Sequence, residues 1–158
     1  MIRQALFRDT EILREIYNDA ILNTTANFET EPKSREEMEE WFDSHEAPYT
    51  VFVDEEDGRI RGYVALSPFK NRKGVVSVYI NREDRGKGVG RKLLEELISY
   101  AREREDLSML VAYVTSENSV SMRLHESVGF VRSGLISRAG TKFGRDLDLQ
   151  LYRMSVNK

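Results

Sequence analysis

The sequence predicts a mixed α/β fold, a mostly antiparallel central sheet flanked by helices and containing one β-α-β crossover. Three observations predict it. Apolar residues recur at helical spacing over 89–101, β-rich runs stand on both sides of that helix, and two earlier β-rich runs are joined by Asp57-Gly58, a hairpin signal. A chain of 158 residues suits one domain, 1–158, because a core of that size is adequate whereas two halves would each be small.

Ile2 to Phe7 reads as the first strand, and Thr10 caps a helix carrying Ile12, Leu13, Ile16, Ala20 and Ile21. Asn23 to Pro32 has turn chemistry around Phe28. Ser34 and Glu37 then form a capping box for a second helix with Met38, Trp41 and Phe42, ending near His45. Strands at Tyr49–Val53 and Ile60–Leu66 flank the Asp57-Gly58 turn. A loop, Ser67 to Gly74, leads to a strand at Val75–Ile80. Val89, Leu93, Leu94, Leu97, Ile98 and Ala101 mark the long helix, and Met109–Val114 the strand that closes the crossover. A shorter helix from about Asn118 to Ser127 stops at Gly129, and strands near Phe130–Ile136 and Leu147–Met154 follow.

With 24 basic and 27 acidic residues and a formal charge of −3, the chain has no general attraction for nucleic acid or an anionic membrane. No apolar run is long enough to span a bilayer, and the opening residues lack a signal-peptide pattern, so a cytoplasmic protein is expected. The absence of cysteine excludes disulfides, thiolate metal sites and a cysteine nucleophile, and no metal is expected. His45 and His125 alone carry imidazole. His45, at a helix end among charges, reads as a surface residue.

The most informative stretch runs from Val75 to Arg91: a strand, a turn with Gly86, Gly88 and Gly90, and a helix start. Glycines allow close backbone approach to a ligand, and the free N–H groups of a helix N-terminus favour phosphate. Arg85, Lys87 and Arg91 add positive charge. The spacing matches neither a dinucleotide-fold glycine motif nor a P-loop. Taken alone, the glycines serve equally as a tight strand-to-helix turn.

Arg85-Gly86-Lys87-Gly88-Val89-Gly90 resembles the pyrophosphate-binding signature of GNAT acetyltransferases. Further blocks make the chain similar to the phosphinothricin and methionine sulfone acetyltransferase branch: Tyr17 to Ile21 with Thr25 to Pro32, Ser77 to Ile80, Arg123 to Glu126 with Gly129-Phe130, and Lys142 to Arg145 before Leu147-Asp148. The resemblance implies a GNAT fold and transfer of acetyl from acetyl-CoA to a primary amine of a small amino-acid-like molecule. It also implies a homodimer. A polyamine, a peptide or another amine is the alternative acceptor, and a CoA-binding domain with weak turnover the alternative class.

In the helix after Met109–Val114, Val120, Leu124 and Val128 fall on a core face, and Asn118, Ser121 and His125 form a polar stripe beside it. Asn118 also reads as an N-cap. The resemblance implies that the stripe lines the coenzyme, with Asn118 and Ser121 along its arm and His125 near its sulfur. Val78, Tyr79 and Ile80 run beside the arm, with the Val78 N–H as oxyanion donor. Branch members usually carry glutamate two residues before the strand serine, and Val75 stands there; the stretch before it is also shorter than usual. His125, directly or through water, is therefore the favoured proton carrier, its ordinary pKa of about 6.5 suiting the task. Glu29 and Asp148 are alternatives. Phe28, Glu29, Arg72, Val75, Val76, Ser77 and Phe143 are the acceptor-site candidates, and Lys70 is a second loop cation beside Arg72.

Overall fold

A computed structural model describes residues 1–158. Its strands are β1 (Ile2–Gln4), β2 (Thr50–Glu56), β3 (Arg59–Phe69), β4 (Lys73–Ile80), β5 (Met109–Thr115), β6 (Val131–Lys142) and β7 (Arg145–Ser155). Its helices are α1 (Thr10–Asn23), α2 (Arg35–Asp43), α3 (Val89–Arg102) and α4 (Ser119–Ser127). The strands form one seven-stranded sheet in the order β1-β2-β3-β4-β5-β7-β6. Only β4 and β5 are parallel, as the α3 crossover between them requires.

Period-two alternation sends side chains to two cores. Phe52, Val64, Leu66 and Val76 join the α3 residues on one face, with Leu124 of α4 and Val128 just after it packed against them. Val51, Val53, Tyr63 and Ala65 meet Leu13 and Ile16 of α1 and Met38 of α2 on the other. Leu93, Leu94 and Leu97 are fully buried, each contributing roughly 1.5–3 kcal/mol, so α3 is pinned to the sheet. The Ser34–Glu37 capping box forms as its spacing predicts.

Several boundaries differ from expectation. Strand β1 stops at Gln4 because Asp9, paired with Arg3 at 2.8 Å, takes the Leu6 N–H and bends the chain into a 3-10 turn. Asp9, not Thr10, is the N-cap of α1, and Ile12 faces solvent. The supposed loop Ser67 to Gly74 is strand at both ends, with Lys70 to Arg72 as the turn. Strand β6 runs on to Lys142, and Val120 is exposed rather than in the core.

Candidate active site

Strand β3 accompanies β4 along its whole length, but β5 pairs only with Lys73, Gly74 and Val75. Beyond Val75 the parallel strands part and leave a wedge whose walls include Val76, Val78, Thr115, Asn118, Ser121 and His125. The Asn81 N–H donates to Arg61 O at 2.8 Å. Antiparallel pairing alternates, so Tyr79 and Ser77 also turn their main-chain groups to β3, while Val78 and Ile80 turn theirs into the wedge. Val78 thus presents an N–H that no strand takes up. Thr115, 1% exposed, has a buried hydroxyl with no partner on the same wall, a group that an amide-bearing ligand would satisfy.

Asn118 is the N-cap its position predicts, and it also stands on the wedge. Its Oδ1 accepts the Ser121 N–H at 3.1 Å and caps α4, and its amide remains on the wedge wall. His125 is buried, 5.3 Å from the Phe130 ring and stacked on Tyr152. Its Nδ1 lies 2.8 Å from Ser121 O; a carbonyl only accepts, so Nδ1 carries the proton and Nε2 keeps a lone pair. Burial holds its pKa below the ordinary histidine value, which leaves the ring neutral near pH 7.

At the end of β4 the chain makes the glycine turn. Gly86 and Gly88 sit at φ +77° and +80°, with no atom close enough to meet a Cβ. Gly88 is the left-handed N-cap of α3 and offers no side-chain cap, so the first N–H groups of α3 are free for an anion. Val89 is buried in the core. Gly90 serves close packing, since a Cβ there would stand 3.0 Å from Leu124; this seats the turn against α4 and the wedge. The cations are exposed and paired: Arg85 and Arg82 with Asp19, Lys87 with Asp84, Arg91 with Glu95. A polyphosphate fits this cradle through open glycine backbone, free amides and exposed cations, and the wedge beside it offers the orphaned Thr115 hydroxyl to the rest of such a ligand.

On the α1/α2 side of β4 lies a second cavity of about 500 Å³, with Tyr17, Glu29, Lys33, Trp41, Tyr63 and Ser67 in its wall. It shares Ser77 and Tyr79 with the wedge. Two ligands can therefore meet at β4, one entering from each face. Glu29 is held by the Tyr17 hydroxyl and by Lys33 at 2.6 Å. Burial, then Tyr79 and Glu29, raises the Tyr17 pKa, so the phenol stays a donor.

Five of the seven acceptor-site candidates do not line this cavity, and one of them, Val76, faces the wedge instead. Arg72 is on the hairpin turn, where its guanidinium donates to the carbonyls of Glu105 and Lys158. Phe143 is exposed at the β6–β7 turn with φ 53°. Phe28 anchors its loop under Gly140, where a Cβ would stand 2.8 Å from the ring. Val75 lies on the same face as Ser67 but is not part of the cavity wall. Lys70 is likewise an exposed turn residue, and Asp148 is spent on the Arg138 N–H at 2.8 Å.

His45 is not a plain surface residue: it is half-buried, its Nε2 2.9 Å from Ser67 Oγ and its Nδ1 2.8 Å from Trp41 O. Tyr17, Lys33, Trp41, Tyr63, Ser67 and Thr115 were missed by sequence reasoning. No group of three or more histidine, aspartate or glutamate side chains is placed to hold a metal ion, and no helix is long and apolar enough to cross a membrane.

The acetyltransferase (GNAT) domain model matches residues 2–151. The chain is 36% identical over 163 residues to the L-amino acid N-acyltransferase MnaT of Escherichia coli, covering 99% of this chain and 94% of the relative. It is 37% identical to the L-methionine sulfoximine/L-methionine sulfone acetyltransferase of Pseudomonas aeruginosa, with 99% and 94% covered. Among solved structures, a phosphinothricin acetyltransferase of Sinorhizobium meliloti in complex with acetyl-CoA superposes with a TM-score of 0.93 at 31% identity, covering 99% of this chain and 88% of the other.

Proposed function

This chain belongs to the GNAT acetyltransferase family and is an acetyl-CoA-dependent N-acetyltransferase; from that premise we propose that it acetylates the primary amine of a small amino-acid-like acceptor, of the methionine sulfone, methionine sulfoximine or phosphinothricin kind. The observation that carries this reading is the meeting of wedge and cavity at Ser77 and Tyr79. Acetyl-CoA supplies an activated acetyl group. The residues that hold it are the backbone and cations of 85–91, the edge of Val78 to Ile80, and Asn118, Ser121 and Thr115. The Val78 N–H stabilises the oxyanion, and His125 moves a proton beside the sulfur. Glu29 and Ser77 face the acceptor.

A second acceptor class has one observation in its favour. Glu37 and Glu40 also line the cavity, and its only lysine or arginine, Lys33, is spent on Glu29, so an acceptor with another positive charge would be attracted. Thiol release from acetyl-CoA, measured with methionine sulfone, phosphinothricin, free amino acids, polyamines and short peptides, separates the readings. Amino-acid-like acceptors should give the highest kcat/KM. Spermidine ahead of all of them by tenfold, about 1.4 kcal/mol in the wrong direction, would overturn that preference, and binding without thiol release would leave only a CoA-binding domain.

Residues 1–158 act in this reading as one catalytic domain in the cytoplasm, where acetyl-CoA is made, and as a homodimer. Support for the dimer comes from edge strand β6, which exposes Val131, Leu135 and Ile136 beside unpaired main-chain groups. Light scattering should return twice the 18.3 kDa chain mass; a mass of one chain at micromolar concentration would rule the dimer out.

A further inference from the structure

The geometry points to a proton relay on the acceptor side of β4: Ser67 takes a proton from the incoming ammonium and passes its own to His45. This rests on the acetyltransferase reading and assigns the step that neutralises the amine. It needs a hydroxyl open to the cavity, a neutral imidazole behind it, and a fixed tautomer. All three are present.

Ser67 lines the cavity, and its hydroxyl has one partner in the chain, His45 Nε2 at 2.9 Å. Trp41 O faces the other ring nitrogen at 2.8 Å. A carbonyl cannot donate, so Nδ1 holds the ring proton, Nε2 is the lone pair, and the Ser67 O–H must donate to it. The oxygen lone pairs of Ser67 remain for a donor in the cavity. Trp41 fixes the imidazole from the side, the ring centroids 4.6 Å apart. Burial holds the His45 pKa below its ordinary value, so the ring is ready to accept near neutrality.

Register places the pair at the reacting end of the cavity. Ser67 lies opposite Val75, and Ser77 two residues along β4 faces the same side. That diagonal spans about 7–8 Å, the room an amine needs between Ser67 and the shared wall at Ser77. The other titratable groups on this cavity are Tyr17 of α1, Glu29 and Lys33 of the following loop, Glu37 and Glu40 of α2, Tyr63 of β3 and Tyr79 of β4. Glu29 is committed to Tyr17 and Lys33, and burial raises the three tyrosine pKa values. Val75, opposite Ser67, has nothing to titrate.

The protons balance. The ammonium gives one to Ser67 Oγ as the Ser67 hydroxyl proton moves to His45 Nε2, leaving a neutral amine and an imidazolium. The amine nitrogen bonds to the acetyl carbon and the C–S bond breaks. A second proton leaves that nitrogen for the thiolate, and His45 releases the first to solvent. Ser67 is the residue that touches the acceptor; His45 positions and recharges it.

Ser67→Ala and His45→Gln test the relay, the second keeping an acceptor for the hydroxyl without a titrating ring. Each should lower kcat/KM for the best acceptor about 10- to 100-fold at pH 7, within the scale of acid-base catalysis. The deficit should close near pH 10, where the α-amine of an amino-acid-like acceptor is largely neutral without help. The double variant should be no worse than the worse single one. Wild-type rates, an equal loss at every pH, or additive losses in proteins with wild-type melting curves would overturn the relay. A wild-type protein that releases no thiol with any amine would sink the acetyltransferase reading and the relay together, whereas an active wild type with indifferent variants sinks the relay alone.

Discussion

Gly88→Val is expected to weaken acetyl-CoA binding by about 10- to 100-fold, or roughly 1.4–2.8 kcal/mol, while the protein stays folded. Gly88 sits at φ +80° as the N-cap of α3, a conformation that costs a β-branched residue about 1–3 kcal/mol. The turn can relieve that strain only by moving the first amides of α3 off the pyrophosphate. Seven buried residues hold α3 itself, so the loss is local. Titration calorimetry reads the affinity and a thermal melt the fold. Arg85→Ala should lose less, because Arg85 is half exposed and already shared with Asp19, and the backbone donors remain. Unchanged affinity in a folded Gly88→Val protein would refute the cradle.

That turn was readable because its chemistry is local: glycines needing positive φ followed by an apolar period of 3.6. The same locality made α3, the capping box and the Asp57-Gly58 hairpin legible. Errors came where a distant residue decides. Asp9 ends β1 through Arg3 and the Leu6 N–H, which no periodicity encodes. Pro68 and Gly74 made 67–74 read as a loop, yet they lie opposite each other in the β3–β4 ladder. Alternation from Arg61–Asn81 turns the Pro68 nitrogen away from β4, and β2 has already ended at Thr50 opposite Leu66, so the missing N–H costs nothing.

The same division runs through the site. The polar stripe on α4 is a property of one helix, and Ser121 and His125 came out on the wedge with Asn118. Arg72 was placed by charge and position, but the turn geometry at φ 60° sends it to the Glu105 and Lys158 carbonyls instead. Phe28 and Phe143 occupy one hairpin's environment and split, one beneath Gly140 and the other in solvent. His45 departs from the sequence expectation for the opposite reason. Its partner Ser67 stands 22 residues away on another element, and the end of a helix told nothing of a strand serine packed beside it.

His125→Asn should lower kcat by about 10²- to 10⁴-fold, the range of acid-base catalysis, with acetyl-CoA affinity nearly intact. Asparagine keeps a donor where Nδ1 meets Ser121 O and removes Nε2, so it is a sharper change than alanine, which would also open a cavity beside Phe130 and Tyr152. The neutral ring cannot begin as an acid. It must first take the second proton from the attacking nitrogen and then give it to the thiolate. Because burial lowers its pKa, wild-type kcat should fall only once the pH drops through that lowered value, below about 6.5, and should hold above it. The loss in His125→Asn should persist near pH 10, since a neutral amine still carries this second proton after attack. That separates it from His45→Gln, whose deficit closes there. A folded His125→Asn protein with wild-type kcat from pH 6 to pH 10 would remove His125 from proton transfer, leaving solvent water on the wedge side to reach the sulfur.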